Sequence, residues 1–312
     1  MNENNESKNG LPAFEEGGRL VSTTLGELGP VLPLGFSEPG TQSLKRDLVL
    51  RRWTGRTMRE LGKMREESRE IGMPEHVGLV LRILAEKIGP LEFQSLKPNE
   101  QKAVISQMWM GDVFYAYIYA RVQSLGPELV VDLTCPNCRN EFKFVADLNA
   151  LTVTTAKCLE DTYWIYTLED PIVIRGKEVE QLAMGPAHWD AVATAQVAGQ
   201  HDVEAGKLAV AAGSIRGIAG REQFPLMQNE IDDLTGRDIE GIVARVDEHF
   251  VGPDMRIVTR CPGERCKGPI SVPIDWSYTR FFSGSSRYLP DGKSSTSSSQ
   301  PATSPREELS GI

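Results

Sequence analysis

Five cysteines, four histidines and an aromatic share of 7% leave 312 residues with little material for redox, metal or stacking chemistry. Five cysteines cannot frame a chain of this length with disulfides, and an odd number leaves one without a mate. No run approaches the ~20 apolar residues that span a bilayer. The opening MNENNESKNG lacks the apolar core of a secretory signal. The expected compartment is therefore the cytoplasm, where thiols stay reduced. Catalytic signatures are missing too: there is no phosphate loop ending in Lys-Ser/Thr, no dinucleotide fingerprint, no G-x-S-x-G elbow and no H-E-x-x-H. The acidic groups Glu66, Glu67 and Glu70, and Glu230, Asp232 and Asp233, read as solvated helix faces and helix starts. His76, His188, His201 and His249 have no metal-motif spacing and read as structural. The net charge of −9 and pI near 5.2 give an overall field that draws in neither nucleic acid nor anionic membrane.

What remains is a globular body between two polar ends. Residues 1–42 are poor in apolar side chains and read as a flexible arm. Residues 283–312 contain ten serines, too polar a composition to bury a core, so 284–312 reads as a disordered tail. Between them, DLVLRRWTG (47–55) reads as a strand entering a turn, and 56–72 as a charged helix. Val77, Val80, Leu81, Leu84 and Ile88 recur at helical spacing. A helix follows from Pro98, and Asp112 is placed to cap another over 113–124. TYWIYTL, PIVIRG and KEVEQLAM read as separate strands. Helical pattern resumes at Trp189 and runs with interruptions to His249; Thr235 and Asp238 form a capping box for its last helix. Trp276, Tyr278, Phe281 and Phe282 read as a strand packed into the core, or as an anchor for a partner.

The cysteines organise this list. Two residues separate Cys135 from Cys138 in LTCPNC, and four separate Cys261 from Cys266 in CPGERC. Each pair follows a Gly-Pro-acid step (Gly126-Pro127-Glu128, Gly252-Pro253-Asp254), and upstream of each lies Ala-Arg-Val. The first cysteines are 126 positions apart, and Pro follows both. The expected fold class is therefore α+β. Two divergent repeats, 43–150 and 151–283, each run strand, helices, strand, knuckle, strand. Each knuckle supplies two thiolates and a tetrahedral zinc needs four, so Cys135, Cys138, Cys261 and Cys266 are the expected ligands of one structural zinc ion shared by both repeats. Arg139, Lys143, Arg260, Arg265 and Lys267 flank the pairs and would offset the charge of four thiolates. Two other readings stand beside zinc: thiol pairs left from a lost site, and a redox pair. Cys158 has no counterpart and reads as a small buried residue.

LPLGFSEPG, DLVLRRWTG, LTCPNC with EFKFVADL behind it, and ARVDEHFVGPDMRIVTRCP together resemble a family of tail assembly and baseplate-hub proteins. That family belongs to contractile phages and phage-tail-like injection particles, and the resemblance covers about residues 30–283. It implies a non-enzymatic structural part or assembly factor whose partners are tail tube, hub, spike or baseplate proteins. The flexible ends would order on those partners. The alternatives are a zinc-ribbon nucleic-acid adaptor, supported by the knuckle cations, and an enzyme whose site is not visible in the motifs.

Overall fold

The computed structural model describes residues 20–37, 43–67, 72–219 and 230–274. The aromatic cluster at 276–282, the serine-rich tail and most of the N-terminal segment lie outside them. The chain is mixed α and β, with several small antiparallel sheets.

It opens with β1 (Val21–Thr24), α1 (Leu25–Leu28), β2 (Val31–Ser37) and β3 (Leu44–Leu50). The expected arm is thus folded over 20–37. Leu25, Leu32 and Leu34 are at most 1% exposed, and these few apolar side chains suffice to anchor the segment in the core. Next come α2 (Gly55–Glu67), α3 (Met73–Leu84), β4 (Ala85–Ile88) and β5 (Leu91–Glu92). The helical spacing up to Ile88 breaks at Leu84, because Ala85–Ile88 instead pairs with β3. Tertiary pairing overrides the local pattern there. After α4 (Pro98–Gln107) and the central helix α5 (Met110–Leu125), β6 (Glu128–Thr134) and β7 (Glu141–Asp147) form a ribbon.

The second half runs β8 (Thr152–Thr155), β9 (Trp164–Ile174), β10 (Lys177–Met184), α6 (Trp189–His201), α7 (Val203–Ser214), β11 (Ile215–Ile218), α8 (Gly236–Glu248), β12 (Gly252–Pro253), β13 (Arg256–Arg260) and β14 (Pro269–Pro273). TYWIYTL and PIVIRG merge into the single strand β9. Pro171 is tolerated because β9 is the outer strand of the order β11-β10-β9, where an amide is not needed.

Several ladders in the two halves match. In the first, Leu48 faces Ile88, Val49 faces Lys87 and Leu50 faces Ala85, with a shift before Leu50. In the second, Leu182 faces Ile218, Ala183 faces Gly217 and Met184 faces Ile215, with a shift before Met184. The hairpins share an irregularity as well. Val31 to Phe36 spans the interval from Asp47 to Lys45, and Thr167 to Ile172 spans that from Gln181 to Val179. Each bulge is held by an aspartate in the first turn of a helix. Asp112 of α5 accepts from the amides of Leu34 and Gly35 at 2.8 and 2.7 Å. Asp238 of α8 accepts from the Glu169 amide at 2.9 Å and from the Thr235 hydroxyl at 2.8 Å; Thr235 caps the Asp238 amide as expected, but the clamp on Glu169 takes the place of the reciprocal half of the box. Asp112 is therefore a buried clamp inside its helix rather than the expected cap before it.

Two strands join the halves directly. LVSTT (20–24) and LTVTT (151–155) pair antiparallel, Val21 with Thr155 and Thr24 with Thr152. Exchanging the two segments leaves that ladder unchanged. A second junction sets the Trp109 ring 4.1 Å from the His188 ring, stacked, while Trp109 Nε1 donates to the Gly35 carbonyl at 3.0 Å. The largest hydrophobic cluster surrounds α3 and α5, where Val77, Val80, Tyr115, Tyr117 and Ile118 are fully buried. A second cluster lies between β9, β10, β11 and α8.

Helix α5 meets the second half through Gly111. A Cβ there would stand 1.7 Å from the Val251 carbonyl oxygen. Gly111→Ala is expected to cost about 3 kcal/mol or more, read as a lower urea midpoint. An unchanged midpoint would contradict this packing. Burial raises the Asp112 carboxyl to about 6, against the pull of the Leu34 and Gly35 amides and of Arg46. A raised acid favours the folded state most below its unfolded pKa and loses that contribution as pH rises. The stability of the wild type relative to Asp112→Asn should therefore fall by about 2–3 kcal/mol between pH 4 and 6. A flat difference in pH-dependent denaturation would refute it.

Candidate metal centre

Two β-ribbons meet face to face at their turns. In β6–β7, Leu133 is buried, and Val131, Phe142 and Phe144 pack around it. In β13–β14 the inward positions are Ile270 and Val272. Alternation along each strand then carries one cysteine inward at each ribbon's end, with Cys135 and Cys261 0% and 1% exposed. Cys138 is exposed and Cys266 half-buried, so the cluster spans the boundary between a small apolar core and solvent.

The turns solve one problem at two lengths. In the first, the Cys135 amide donates to the Asn140 carbonyl at 2.9 Å and the Arg139 amide to the Cys135 carbonyl at 2.8 Å. In the second, the Cys261 amide donates to the Gly268 carbonyl at 2.9 Å. The two additional residues are taken up before the second cysteine, where the Cys266 amide closes a turn on the Gly263 carbonyl at 3.0 Å. Both turns then finish alike: the residue after the second cysteine, Arg139 or Lys267, has φ of 57° or 47°. That left-handed step swings the chain back into its return strand.

The four sulfurs lie within 4.8 Å of one another. Two sulfur contacts cross between ribbons, Cys135 to Cys266 at 3.7 Å and Cys138 to Cys261 at 3.6 Å. A tetrahedral ion with metal–sulfur bonds of about 2.3 Å separates its sulfurs by about 3.8 Å, so this set fits one ion. Cys135, Cys138, Cys261 and Cys266 could hold a metal.

Backbone amides tune these thiols. The Cys138 and Asn137 amides, with the neighbouring sulfurs, bring Cys135 down to about 7 in spite of burial. The Asn140 amide pulls on Cys138, but contact with Cys261 and burial outweigh it and push that thiol up. Cys266 follows the same pattern: the Gly268 amide pulls it down, and contact with Cys135 together with burial pushes it up. The Gly263 amide donates to the Cys261 sulfur at 3.4 Å. Arg139, Lys143, Arg260, Arg265 and Lys267 stand at exposed positions, and the amides act on the sulfurs at closer quarters.

Sequence spacing identified the four sulfurs but not what presses the turns together. A Cβ on Gly268 would lie 2.4 Å from the Asn137 side-chain nitrogen, so the Asn137 side chain of the first turn seats directly on the second. The matched clamps Asp112 and Asp238 were also missed, although they are 126 positions apart, the same offset as Cys135 and Cys261. Cys158 is half-buried rather than buried, and stands apart from the cluster beside Asp161 and Glu160. His76 lies in the first turn of α3 and His188 caps α6. Glu230 pairs with Arg175 at 2.5 Å, and Asp232 and Asp233 are exposed. Among the described residues no helix is long and apolar enough to cross a membrane. Comparison of the chain with protein-family models, curated proteins and solved structures found no match.

One ion held by all four sulfurs would make the two pairs equivalent. Cys135→Ser and Cys261→Ser should each abolish metal retention measured on purified protein, and lower the thermal midpoint by similar amounts. Retained metal in Cys261→Ser would break the shared site.

Proposed function

We propose that this protein is a zinc-stapled, non-enzymatic building piece made of two divergent copies of one α+β unit. It serves in, or in the assembly of, the baseplate or hub of a contractile phage tail or tail-like injection particle. The observation that carries the proposal is the sulfur cluster drawn equally from turns 126 residues apart. Four cysteines around one ion leave no position for water or substrate, which suits a clamp and not a catalyst. An all-thiolate tetrahedral set favours zinc among the common divalent ions.

The duplication draws support from the matched β3–β4 and β10–β11 ladders and from the two clamped bulges. It draws further support from the exchangeable β1–β8 pairing. On this reading the first unit starts at about residue 20 instead of 43. The tail setting rests on the resemblance of the quoted segments, and a rigid core with polar ends is the form an assembly part takes.

The exposed cations at the two turns favour a second function, a nucleic-acid adaptor. It would show affinity for duplex or single strands that falls steeply with salt.

Tagged full-length protein, isolated from cells that produce particles, should bring down tube, sheath or hub proteins and contain one zinc per chain. Its loss should block complete particles. Recovery of none of those proteins at any stage of particle formation would overturn the tail assignment.

A further inference from the structure

One segment of this acidic chain runs against the rest. Residues 45–65 hold eight Lys or Arg and only two acids. Within α2 the charges are sorted by face. Thr57 and Leu61 are buried and Met64 packs on the core, whereas Arg56, Arg59 and Lys63 are exposed. Spacings of three and four residues align these cations in one ridge about 10 Å long, opposite the buried face. Arg52, exposed just ahead of the helix, extends it. Arg51 is paired with Glu60 at 2.9 Å. No carboxylate pairs with Arg52, Arg56, Arg59 or Lys63 among the described residues.

A charged helix face can be no more than a solvated one. The other half of the molecule tells the two cases apart, a comparison that rests on the two-copy proposal above. Helices α2 and α6 are both 13 residues long. Gly55 follows Leu50 by the same interval as Trp189 follows Met184, and those two strand residues hold matched ladder positions. The positions of Arg56, Arg59 and Lys63 are then occupied by Asp190, Ala193 and Val197. The matching helix packs on α3, α4 and α5 as well as on α7 and carries no cation at these positions, so the unit folds without the ridge.

Charge balance indicates what the ridge meets. Residues 20–150 hold sixteen basic and sixteen acidic side chains, residues 151–274 twelve and nineteen. On the β9–β10 hairpin, Glu178 and Glu180 flank the buried Val179 and face outward with Asp170 nearby. None of these three is in an ion pair among the described residues. The exposed ridge has no aromatic ring for a base to stack on, and the net charge of −9 repels a polyanion. Carboxylates suit it better.

We propose that the α2 ridge docks on the acidic β9–β10 hairpin of a second copy of this chain. The two surfaces differ, so each contact leaves one ridge and one hairpin free, and association continues into a ring or a row.

Sedimentation of the full-length protein at about 0.05 M and about 0.5 M salt tests this, since those conditions bracket a screening length of roughly 10 Å. The wild type should self-associate at low salt and dissociate at high salt. The variant R56E/R59E/K63E should associate about tenfold more weakly or less, and so should E178K/E180K. Mixing the two charge-reversed variants should restore association. Unchanged metal content and thermal midpoint in each variant would show that docking, not folding, was lost. A wild type that stays monomeric at low salt, or a triple variant that associates like the wild type, would overturn the docking surface. So would ridge-dependent binding of a duplex oligonucleotide by a monomeric protein. Particles that contain a monomeric wild type would overturn the docking surface alone and leave the tail function standing.

Discussion

Four sulfurs within 4.8 Å of one another could share one ion, and that ion would tie the two halves together more firmly than any packing contact between them. Their crossed spacings put one sulfur of each turn against one of the other, so neither turn completes the cluster alone. The closure joins segments 126 residues apart, which makes it a long-range tether in entropic terms. Around the cysteines themselves the ribbons bury little else: Leu133 and Ile270 are the buried apolar residues of that cluster, while Leu129, Ala146 and Ile257 pack into the main core. So small an apolar core stabilises weakly, and coordination would supply what packing does not.

The sulfur cluster does not act by itself. The β1–β8 ladder pairs the opening strands of the two halves, and the Trp109–His188 stack joins them again at the start of α6. Gly111 and Gly252 let backbone approach backbone where α5 crosses the second half. Buried aspartates then fix the one irregular feature of each hairpin to a helix start. Negative charge at the first turn of a helix is favourable, which offsets part of the burial cost. The result is a body in which local hairpins, helix termini and the cluster restrain one another.

Much of this could be read from residues alone, and the misses have physical causes. The cysteine pairs, the Gly-Pro-acid steps and the Thr235 cap of α8 are local patterns with one geometric meaning each. Residues 20–37 were misjudged because only a few apolar side chains, Leu25, Leu32 and Leu34 among them, anchor a segment whose average composition is polar. Helix α3 was read four residues too long because Ala85–Ile88 keeps helical spacing while pairing as a strand with β3. Pro171 divided β9 in the sequence, yet an outer strand accommodates it. The contact of Asn137 with Gly268 joins two distant turns, and no local pattern announces it.

X-ray absorption spectroscopy at the zinc edge of the purified full-length protein tests the central claim most directly. A closed site shared by both halves gives a first shell of four sulfurs at about 2.3 Å with no nitrogen or oxygen. In Cys266→Ser the same spectrum should lose one sulfur or the whole signal. A wild-type shell of two sulfurs completed by oxygen or nitrogen would contradict the account.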